Sequence, residues 1–381
     1  MPALAQRAKP TVPRRSPRPK RLTRLALAIG ITAALLAVGP SAVAHPSGRQ
    51  QRTAYHQTNQ VSDIPGRAAI TDPNLVNPWG LVAGPTTPLW SNDQGKGVST
   101  LYNGAVNGSA PAIIPLVVAV PGGLDTGIVF NAAPGFTVTA PNGAADSARF
   151  IFANLLGQIS GWSPTLPLNG NAVLEASVPG HSYTGLANLT TDEGSFLFAA
   201  NFDGTGGSID VFDSNWNPVR SKEGFKDRHI PRGYAPFNIQ ALGDELFVAY
   251  ARFDPVTGRA DRFARGFVDV FNADGKLLDR LIHHDRLHAP WGMVIAPEGF
   301  GRFSGDLLVG NFGDGRINAF DARNGNFRGT LRDERGRVIV NDRLWALRFG
   351  NGVFGGPTDL VFSAGIEDET HGLLGTISAV G

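Results

Sequence analysis

An acidic segment near the carboxyl end of the chain carries the residues best suited to acid–base chemistry. The string AGIEDETHGLLG contains Glu369 and, two residues later, His371. An imidazole titrates near neutral pH, and a neighbouring carboxylate can tune its pKa for proton transfer. We therefore expect His371 and Glu369 to be the catalytic pair if the protein is an enzyme. A solvated or structural loop is the alternative, and the sequence leaves both open.

Asparagine recurs where strand-like segments end, as in Asn92, Asn154, Asn201 and Asn311. Such amide oxygens could hold Ca²⁺, and a nearby imidazole such as that of His288 could hold a transition metal. The candidate metal ligands are Asn201, His288 and Asn311, and the candidate cofactor is a divalent cation. Asparagine is also common in turns, because its side chain bonds the neighbouring backbone. Turn chemistry is therefore the competing interpretation.

Six repeated units are the elements that would position these residues. Each contains strand-like segments joined by short turns rich in Gly, Asn and Asp, which is typical of a β-propeller. The predicted second strands are PLWSND, RFIFAN, FLFAAN, ELFVAY, DLLVGN and DLVFSA. The predicted third strands are VSTLYN, QISGWS, SIDVFD, FVDVFN, RINAFD and GTISAV. The predicted fourth strands of the first five units span residues 112–120, 172–178, 218–222, 276–283 and 327–331.

The innermost strand of each unit has a recurring pair of residues. Equivalent positions are Gly80, Gly127, Gly185, Asn238, Gly292 and Ala346, and large rings precede four of them. A ring followed by Gly suits a place where blades pack and one backbone approaches another. Packing is the first interpretation, and ligand stacking at the channel mouth is the second. The candidate ligand-binding residues are Trp79, Asn92, Asn201, Asn238, Trp291, Asn311 and Trp345.

The last unit ends at Gly381 after only three strands, so another segment must pair with its open edge. The segment Tyr55–Ser62 is the predicted closing strand. The fold class is therefore all-β: one six-bladed β-propeller of four-stranded antiparallel blades over residues 55–381, preceded by a disordered leader at 45–54. A charged insertion at 252–266 interrupts blade four, either as a functional loop or as a solvated surface loop.

Residues 1–44 predict a secretory signal peptide. They carry eight Lys/Arg and no acid, then an apolar stretch and Ala42-Val43-Ala44. The remaining 26 Lys/Arg face 32 Asp/Glu, a formal charge of −6, which gives no support for nucleic-acid binding. The chain has no Cys, so thiolate chemistry and disulfides are excluded. We expect a secreted monomer, extracellular or periplasmic after cleavage near Ala44, without stable membrane insertion.

Several strings carry a family resemblance. APWGMVIAPEGFGRFSGDLLVGNFGDGRINAFD (residues 289–321), NPWGL, TGIVFN, YAPFNI, LWALRFGNG and AGIEDETHGLLG are the strings concerned. The chain resembles an uncharacterised family of exported bacterial β-propeller proteins related to the NHL-repeat group. Some members end in a PEP-CTERM sorting tail, which is absent here, so we expect release rather than sorting. The resemblance implies the fold and export, and it carries no reaction.

The expected function is a secreted binding module for an extracellular polymer, an envelope component or a protein partner. The alternative is a metal-dependent hydrolase or lyase at the channel mouth, with Asn92, Asn201, Asn311, His288, Glu369 and His371 as its candidate residues. Comparison with six-bladed lactonases calls for a metal-binding Glu early in blade one, and the first Glu here is Glu175. A quinone-dependent sugar dehydrogenase is a third alternative, with no cofactor anchor in the sequence.

Overall fold

The computed structural model describes residues 53–283 and 286–380, which are almost entirely β-strand. The predicted signal peptide, and the predicted leader up to residue 52, lie outside the described residues. Within the described part of the chain, no helix has the length and hydrophobicity to span a bilayer. The helical content there is a 3₁₀ turn at Gly301–Phe303 and one short turn, α1, at Ile366–Glu369.

The chain begins its propeller with β1 (Ala54–Ser62), and β2 (Ile70–Thr71) pairs with it in parallel. Blade one contains β3 (Pro78–Val82), β4 (Leu89–Asp93), β5 (Val98–Asn103) and β6 (Ala112–Ala119). Blade two contains β7 (Asp125–Phe130), a hairpin of β8 (Thr137–Thr139) and β9 (Ala145–Ser147), then β10 (Phe150–Asn154), β11 (Gln158–Trp162) and β12 (Val173–Ser177). Blade three contains β13 (Tyr183–Thr191), β14 (Gly194–Asn201), β15 (Ser208–Asp213) and β16 (Pro218–Val219).

The second half of the ring repeats this plan. Blade four contains β17 (Tyr234–Leu242), β18 (Glu245–Asp254), the short β19 (Arg259–Ala260), β20 (Phe267–Phe271) and β21 (Leu277–Ile282). Blade five contains β22 (Pro290–Ile295), β23 (Leu307–Asn311), β24 (Ile317–Phe320) and β25 (Phe327–Thr330). Blade six contains β26 (Leu344–Phe349), β27 (Leu360–Ala364), β28 (Leu373–Val380) and, as its fourth strand, β1.

The two ends of the described chain close the ring, as the sequence predicts. Strand β1 pairs antiparallel with β28 from Ala54 opposite Val380 to Ser62 opposite Leu373. It begins at Ala54, one residue before the predicted start, so the end of the predicted leader is part of a strand. The six-bladed, four-stranded antiparallel architecture is confirmed. Joining first and last strands leaves blade six without the open edge that would otherwise invite pairing with another chain.

Close contact between inner strands explains the glycines that follow the ring residues. Inner strands β3, β7, β13, β17, β22 and β26 contact one another around the channel. A Cβ atom on Gly80 would lie 2.5 Å from the Thr126 carbonyl oxygen, and one on Gly292 would lie 2.5 Å from that of Trp345. Any side chain there would push neighbouring blades apart. The predicted close approach of backbones is therefore present at these positions.

Each gap between blades is filled by apolar side chains from the facing sheets. A separate cluster lies around the channel axis and joins rings from blades one, three, four, five and six, including Trp79, Phe202, Phe237, Phe312 and Trp345. We call this cluster the aromatic plug, because its rings pack against one another on the channel axis.

Candidate functional site

A cavity of about 370 Å³ lies over the plugged channel, and we call it the mouth pocket. All six blades contribute to its wall, although they are far apart in sequence. Its apolar lining is Trp79, Leu155, Phe202, Phe237, Ala260, Phe263, Phe312 and Trp345. Its charged lining is Asp254, Arg259, Asp261, Arg262, Arg343 and Glu369, and its other polar lining includes Asn77, Gln94, Ser182, Thr184 and Thr257. This volume is at the small end of the range for ligand sites.

Stacked aromatic rings form the floor of the mouth pocket. The Trp79 and Trp345 rings are 3.6 Å apart and nearly parallel, and Phe312 lies 4.3 Å from Trp345. Trp345 Nε1 donates a hydrogen bond to Asn77 Oδ1 at 3.0 Å. The buried Nε1 of Trp79 has no hydrogen-bond partner among the described residues. The floor is therefore a packed aromatic surface that also carries one unpartnered indole N–H group.

Glu369 stands at the rim of the pocket, where its side chain is only 11% exposed. Its carboxylate pairs with Arg259 and accepts a hydrogen bond from Asn77 Nδ2 at 3.4 Å. Burial raises the pKa of Glu369, while the charges of Arg259 and Arg343 oppose that rise. Glu369 is therefore a sheltered carboxylate of the pocket, held in direction by Arg259 and Asn77.

The backbone that carries Glu369 adopts the left-handed conformation, which is unfavourable for L-residues. Glu367, Asp368 and Glu369 have φ of 55°, 56° and 68° in succession. Each such residue costs on the order of 1–2 kcal/mol, because Cβ approaches the following carbonyl. A different arginine partners each acid: Arg67 with Glu367, Arg343 with Asp368 and Arg259 with Glu369. The three ion pairs hold this left-handed turn in place at the rim.

The residue just before an inner strand also adopts left-handed backbone in several blades. Asn77, Leu124, Ala289 and Arg343 precede β3, β7, β22 and β26, and their φ angles lie between 44° and 54°. At Asn77 and Arg343 the residue also lines the mouth pocket. The left-handed residue before β3 and before β26 therefore contributes a polar side chain, that of Asn77 or Arg343, to the pocket lining.

The insertion at 252–266 reaches across the pocket. Strand β18 runs on to Asp254, and β19 pairs with this extension, Asp254 opposite Arg259. From this hairpin, Arg259 binds Glu369 of blade six, and Arg262 donates to the Gly313 carbonyl oxygen at 3.4 Å. The insertion therefore forms part of the wall of the mouth pocket. Phe263 at its tip is 80% exposed.

Among the residues predicted from the sequence, Trp79, Trp345 and Glu369 line the mouth pocket. Trp291 belongs to the aromatic plug and donates from Nε1 to the Thr184 carbonyl oxygen at 3.0 Å. Asn238 Nδ2 donates to the Trp291 carbonyl oxygen at 2.7 Å, so it joins blades four and five. These two residues contact the frame of the pocket rather than its lining.

The predicted asparagines bond mainly to backbone or to nearby side chains. Asn92 Nδ2 donates to the carbonyl oxygens of Thr126 and Gly127 in the next blade. Asn201 Oδ1 accepts from the Ser182 amide at 2.8 Å. These contacts are typical of turn and inter-blade structure. The buried Oδ1 of Asn92 has no partner among the described residues.

The remaining predicted metal ligands are Asn311, the last residue of β23, and His288, two residues before β22. Asn311 Nδ2 donates to the Arg286 carbonyl oxygen and to Asp314, whereas its buried Oδ1 has no partner within the described ranges. His288 is half-buried, and its carbonyl oxygen accepts from the Gly313 amide at 3.0 Å. Neither residue is part of the mouth-pocket lining.

The expected catalytic pair, His371 and Glu369, has separate partners. His371 Nδ1 lies 2.7 Å from Asp63 Oδ2, and the Gly372 amide donates to the other oxygen of the same carboxylate. Glu367 lies 3.9 Å from His371 Nε2. Glu369 instead faces Arg259 and Asn77. The geometry therefore forms an Asp63–His371 pair beside the turn and a Glu369–Arg259 pair in the pocket.

Three arginines of the mouth pocket are not among the site residues predicted from the sequence. Arg259, Arg262 and Arg343 all line the mouth pocket, and Arg343 lies over the Phe312 ring at 5.4 Å. The charged character of the 252–266 insertion was the available signal for two of them. For Arg343 the signal was weaker, since a single Arg before an inner strand is indistinguishable from a surface residue.

The fold and the pocket define the class: a six-bladed β-propeller with a one-ended pocket on its channel axis. No family model matches the sequence. Two uncharacterized proteins of Acanthamoeba polyphaga mimivirus are each 32% identical to it, over 356 and 346 residues. The alignments cover 90% and 87% of this chain, and 84% and 88% of the two relatives. The chain therefore belongs to the same family as these viral proteins.

A solved structure supports the same architecture. An α-L-arabinofuranosidase from Fusarium graminearum matches with a TM-score of 0.51 at 9% identity, over 85% of this chain and 97% of that chain. Such a likeness concerns the fold alone. The propeller part of the resemblance drawn from sequence is confirmed. Because the relatives named above are viral, the bacterial and exported character of the resembled family stays a prediction.

Proposed function

We propose that the protein is a binding module whose mouth pocket takes a neutral, polyhydroxylated ligand, that is, one or two sugar units. The carrying observation is the charge balance of the lining: three arginines stand against three carboxylates above an aromatic floor. Such a set offers donors and acceptors in equal measure without a net charge. An anionic ligand would be repelled by the three carboxylates, and a cationic ligand would be repelled by the three arginines.

The shape of the pocket narrows the ligand further. The floor is closed by the Trp79–Trp345 stack, and the cavity of about 370 Å³ is compact rather than groove-like. A closed pocket suits a free sugar or the end of a polysaccharide, whereas the middle of a chain would need an open groove. This refines the expectation of an extracellular polymer as ligand. Export and the extracellular setting remain part of the proposal.

Preorganisation supports a ligand-binding role for Glu369. Three consecutive left-handed residues place Glu369 at the rim, and Arg259 and Asn77 hold its carboxylate. Strained backbone of this kind clusters where a protein holds a group ready for a ligand. A carboxylate that is already oriented accepts hydroxyl hydrogen bonds at a lower entropic cost.

The first test is a glycan array together with matched solution titrations. The wild-type chain should bind neutral saccharides, and it should bind an anionic and a cationic sugar of the same size more weakly. Tryptophan fluorescence gives a second readout, because two of the six Trp residues form the floor. Preference for the charged sugars over the neutral one, or binding to no saccharide at all, would overturn the proposal.

A second candidate function is a hydrolase or lyase that acts in the same pocket. The observation that favours it is the raised pKa of Glu369, which results from burial and brings a carboxyl group closer to acid–base work. In the metal-dependent form of this proposal, a divalent cation would polarise the substrate. Turnover of a bound saccharide that disappears in Glu369→Gln would favour this candidate, and unchanged turnover in that variant would exclude Glu369 as the acid or base.

A further inference from the structure

A second cluster of ionisable groups lies in blade four, away from the mouth-pocket lining. It joins Asp227 from the loop between blades three and four, Asp269 of β20 and His283 just after β21. One ligand atom from each residue lies within 4.8 Å of the other two. The side chains of Asp227 and Asp269 are 1% and 0% exposed, and that of His283 is 24% exposed. Two carboxylates are thus buried together beside one imidazole.

Two polar atoms in this cluster lack partners among the described residues. One is Asp269 Oδ2, since only Oδ1 bonds, to His283 Nε2 at 2.6 Å. The other is the hydroxyl of Tyr250, a residue that is 4% exposed. The strand register places Tyr250 diagonally across from Asp269 on the same face of blade four, and Tyr250 and Asp227 line the same cavity. Buried polar atoms without partners are uncommon, and an ion or water is one explanation.

Blade three shows how the same strand position looks when it is satisfied. Asp210 in SIDVFD corresponds to Asp269 in FVDVFN, the third residue of the third strand in each blade. Asp210 Oδ2 bonds both His181 Nδ1 at 2.6 Å and the Tyr183 hydroxyl at 2.7 Å, and Oδ1 accepts from Ser208. No oxygen of Asp210 is left over. Blade four instead adds a second acid, Asp227, and leaves Asp269 Oδ2 and the Tyr250 hydroxyl without a hydrogen-bond partner among the described residues.

The residues around this cluster include a cation that balances its acids, and a neighbouring cavity provides a path for an ion. Arg280 Nε contacts Asp227 at 2.9 Å, and its side chain is 38% exposed, so it can turn toward solvent. His229 bonds the other oxygen of Asp227 and is 70% exposed. A cavity of about 620 Å³ between blades three and four includes Asp227 and Tyr250 in its wall. An ion could therefore reach the cluster from this side.

We propose that Asp227, Asp269 and His283 bind one divalent transition-metal ion. Two carboxylate oxygens and one imidazole nitrogen suit Zn²⁺ or Mn²⁺, whereas Ca²⁺ prefers six to eight oxygen ligands. The unpartnered Tyr250 hydroxyl and Asp269 Oδ2 would complete or support the site. Binding would tie the loop before blade four to the third strand of that blade and to the segment after its fourth strand.

Equilibrium dialysis of the tag-free chain against Zn²⁺ and, separately, Mn²⁺ tests this proposal, with bound metal measured by mass spectrometry. Wild type should retain one ion per chain, and Asp269→Asn should weaken binding by at least about 100-fold, since even outer-sphere changes cost 10–100-fold. Asp210→Asn is the matched control, because it makes the same change at the equivalent position of blade three, and it should retain the ion.

Two further readouts keep the test decisive. His283→Gln replaces a partly exposed ligand and serves if Asp269→Asn does not fold, as judged by circular dichroism. Co²⁺ bound to the wild-type chain should give visible ligand-field absorption that His283→Gln changes. Absence of bound Zn²⁺ and Mn²⁺ in wild type, equal binding by the folded ligand variants, or an equal loss in Asp210→Asn would overturn the proposal.

Discussion

The acids of the left-handed turn at the rim and the buried acid Asp125 inside blade two differ in what surrounds them. At the rim, each acid of the left-handed turn has its own arginine, and Glu369 also has Asn77. Asp125, at the start of β7, is fully buried, and neither of its side-chain oxygens has a partner among the described residues. Burial raises the pKa of Asp125 to about 8, so this acid holds its proton at neutral pH.

This difference separates two uses of a carboxyl group. Paired arginines keep an acid oriented while a side of the group remains available to a ligand, which is the situation at the rim. A buried acid without a cation either keeps its proton, as Asp125 does, or gains from a bound ion, as we propose for Asp269. Burial alone is therefore a poor guide to function, and the partners of each oxygen are more informative.

The largest expected effect comes from Asp125→Asn. Because the pKa of Asp125 is near 3.8 in the unfolded chain and about 8 in the folded one, the folded state holds the extra proton between these values. Wild type should then lose about 1.4 kcal/mol of unfolding free energy per pH unit from pH 4 to pH 8 through this group. The variant should lack this contribution, so its stability relative to wild type should grow with pH.

Urea denaturation at pH 5 and pH 8 measures this difference. Asp192→Asn, at an exposed turn of blade three, is the control and should follow the wild-type curve. Parallel curves for wild type and Asp125→Asn would mean that Asp125 is ionised in the folded protein, and the contrast between rim and interior would fail.

A smaller effect is expected from Arg343→Ala. The Arg343 side chain is 10% exposed, pairs with Asp368 and lies over the Phe312 ring. Its loss removes a charged hydrogen bond and a cation–π contact, which together should lower the free energy of unfolding by about 2 kcal/mol. Urea denaturation at pH 7 tests this, and a change below about 0.5 kcal/mol would show that the turn does not depend on this pair.

The smallest effect is expected from Arg67→Ala. The Arg67–Glu367 pair is 3.8 Å long, and both side chains are about half exposed. Such surface pairs contribute roughly 0–1 kcal/mol, so the stability should change by less than about 0.5 kcal/mol. The same denaturation experiment compares it with Arg343→Ala. If the two variants were equally destabilised, the burial of an arginine would not determine how much its ion pair stabilises the turn.

Most of the fold could be predicted from the sequence because each blade repeats the same local signals. Strand β5 (Val98–Asn103) occupies the residues of the predicted string VSTLYN, and β15 (Ser208–Asp213) those of SIDVFD. Alternating apolar residues and Gly-containing turns specify such strands without long-range information. The closing strand was predictable for a different reason: three strands in blade six leave an edge that needs a partner.

The site was only partly predictable, because its contacts join residues far apart in the chain. Trp79 and Trp345 repeat with the blades and could be selected, whereas the Arg259–Glu369 pair spans 110 positions. His371 was expected beside Glu369 from its spacing, yet its imidazole bonds Asp63, 308 positions away. The left-handed turn was not predictable either, since successive L-residues rarely adopt positive φ and the arginines that pair with these acids come from other parts of the chain.

The most direct test of the proposed function compares two neighbouring acids of that turn. Glu369→Gln removes one of the three carboxylates of the mouth pocket, and Glu367→Gln makes the same change on a half-exposed acid outside the pocket lining. Isothermal titration with the best neutral saccharide from the array should show binding weakened about 10–100-fold in Glu369→Gln, the loss of a charged hydrogen bond, and unchanged in Glu367→Gln. Equal affinities for wild type and Glu369→Gln would contradict sugar binding in the mouth pocket.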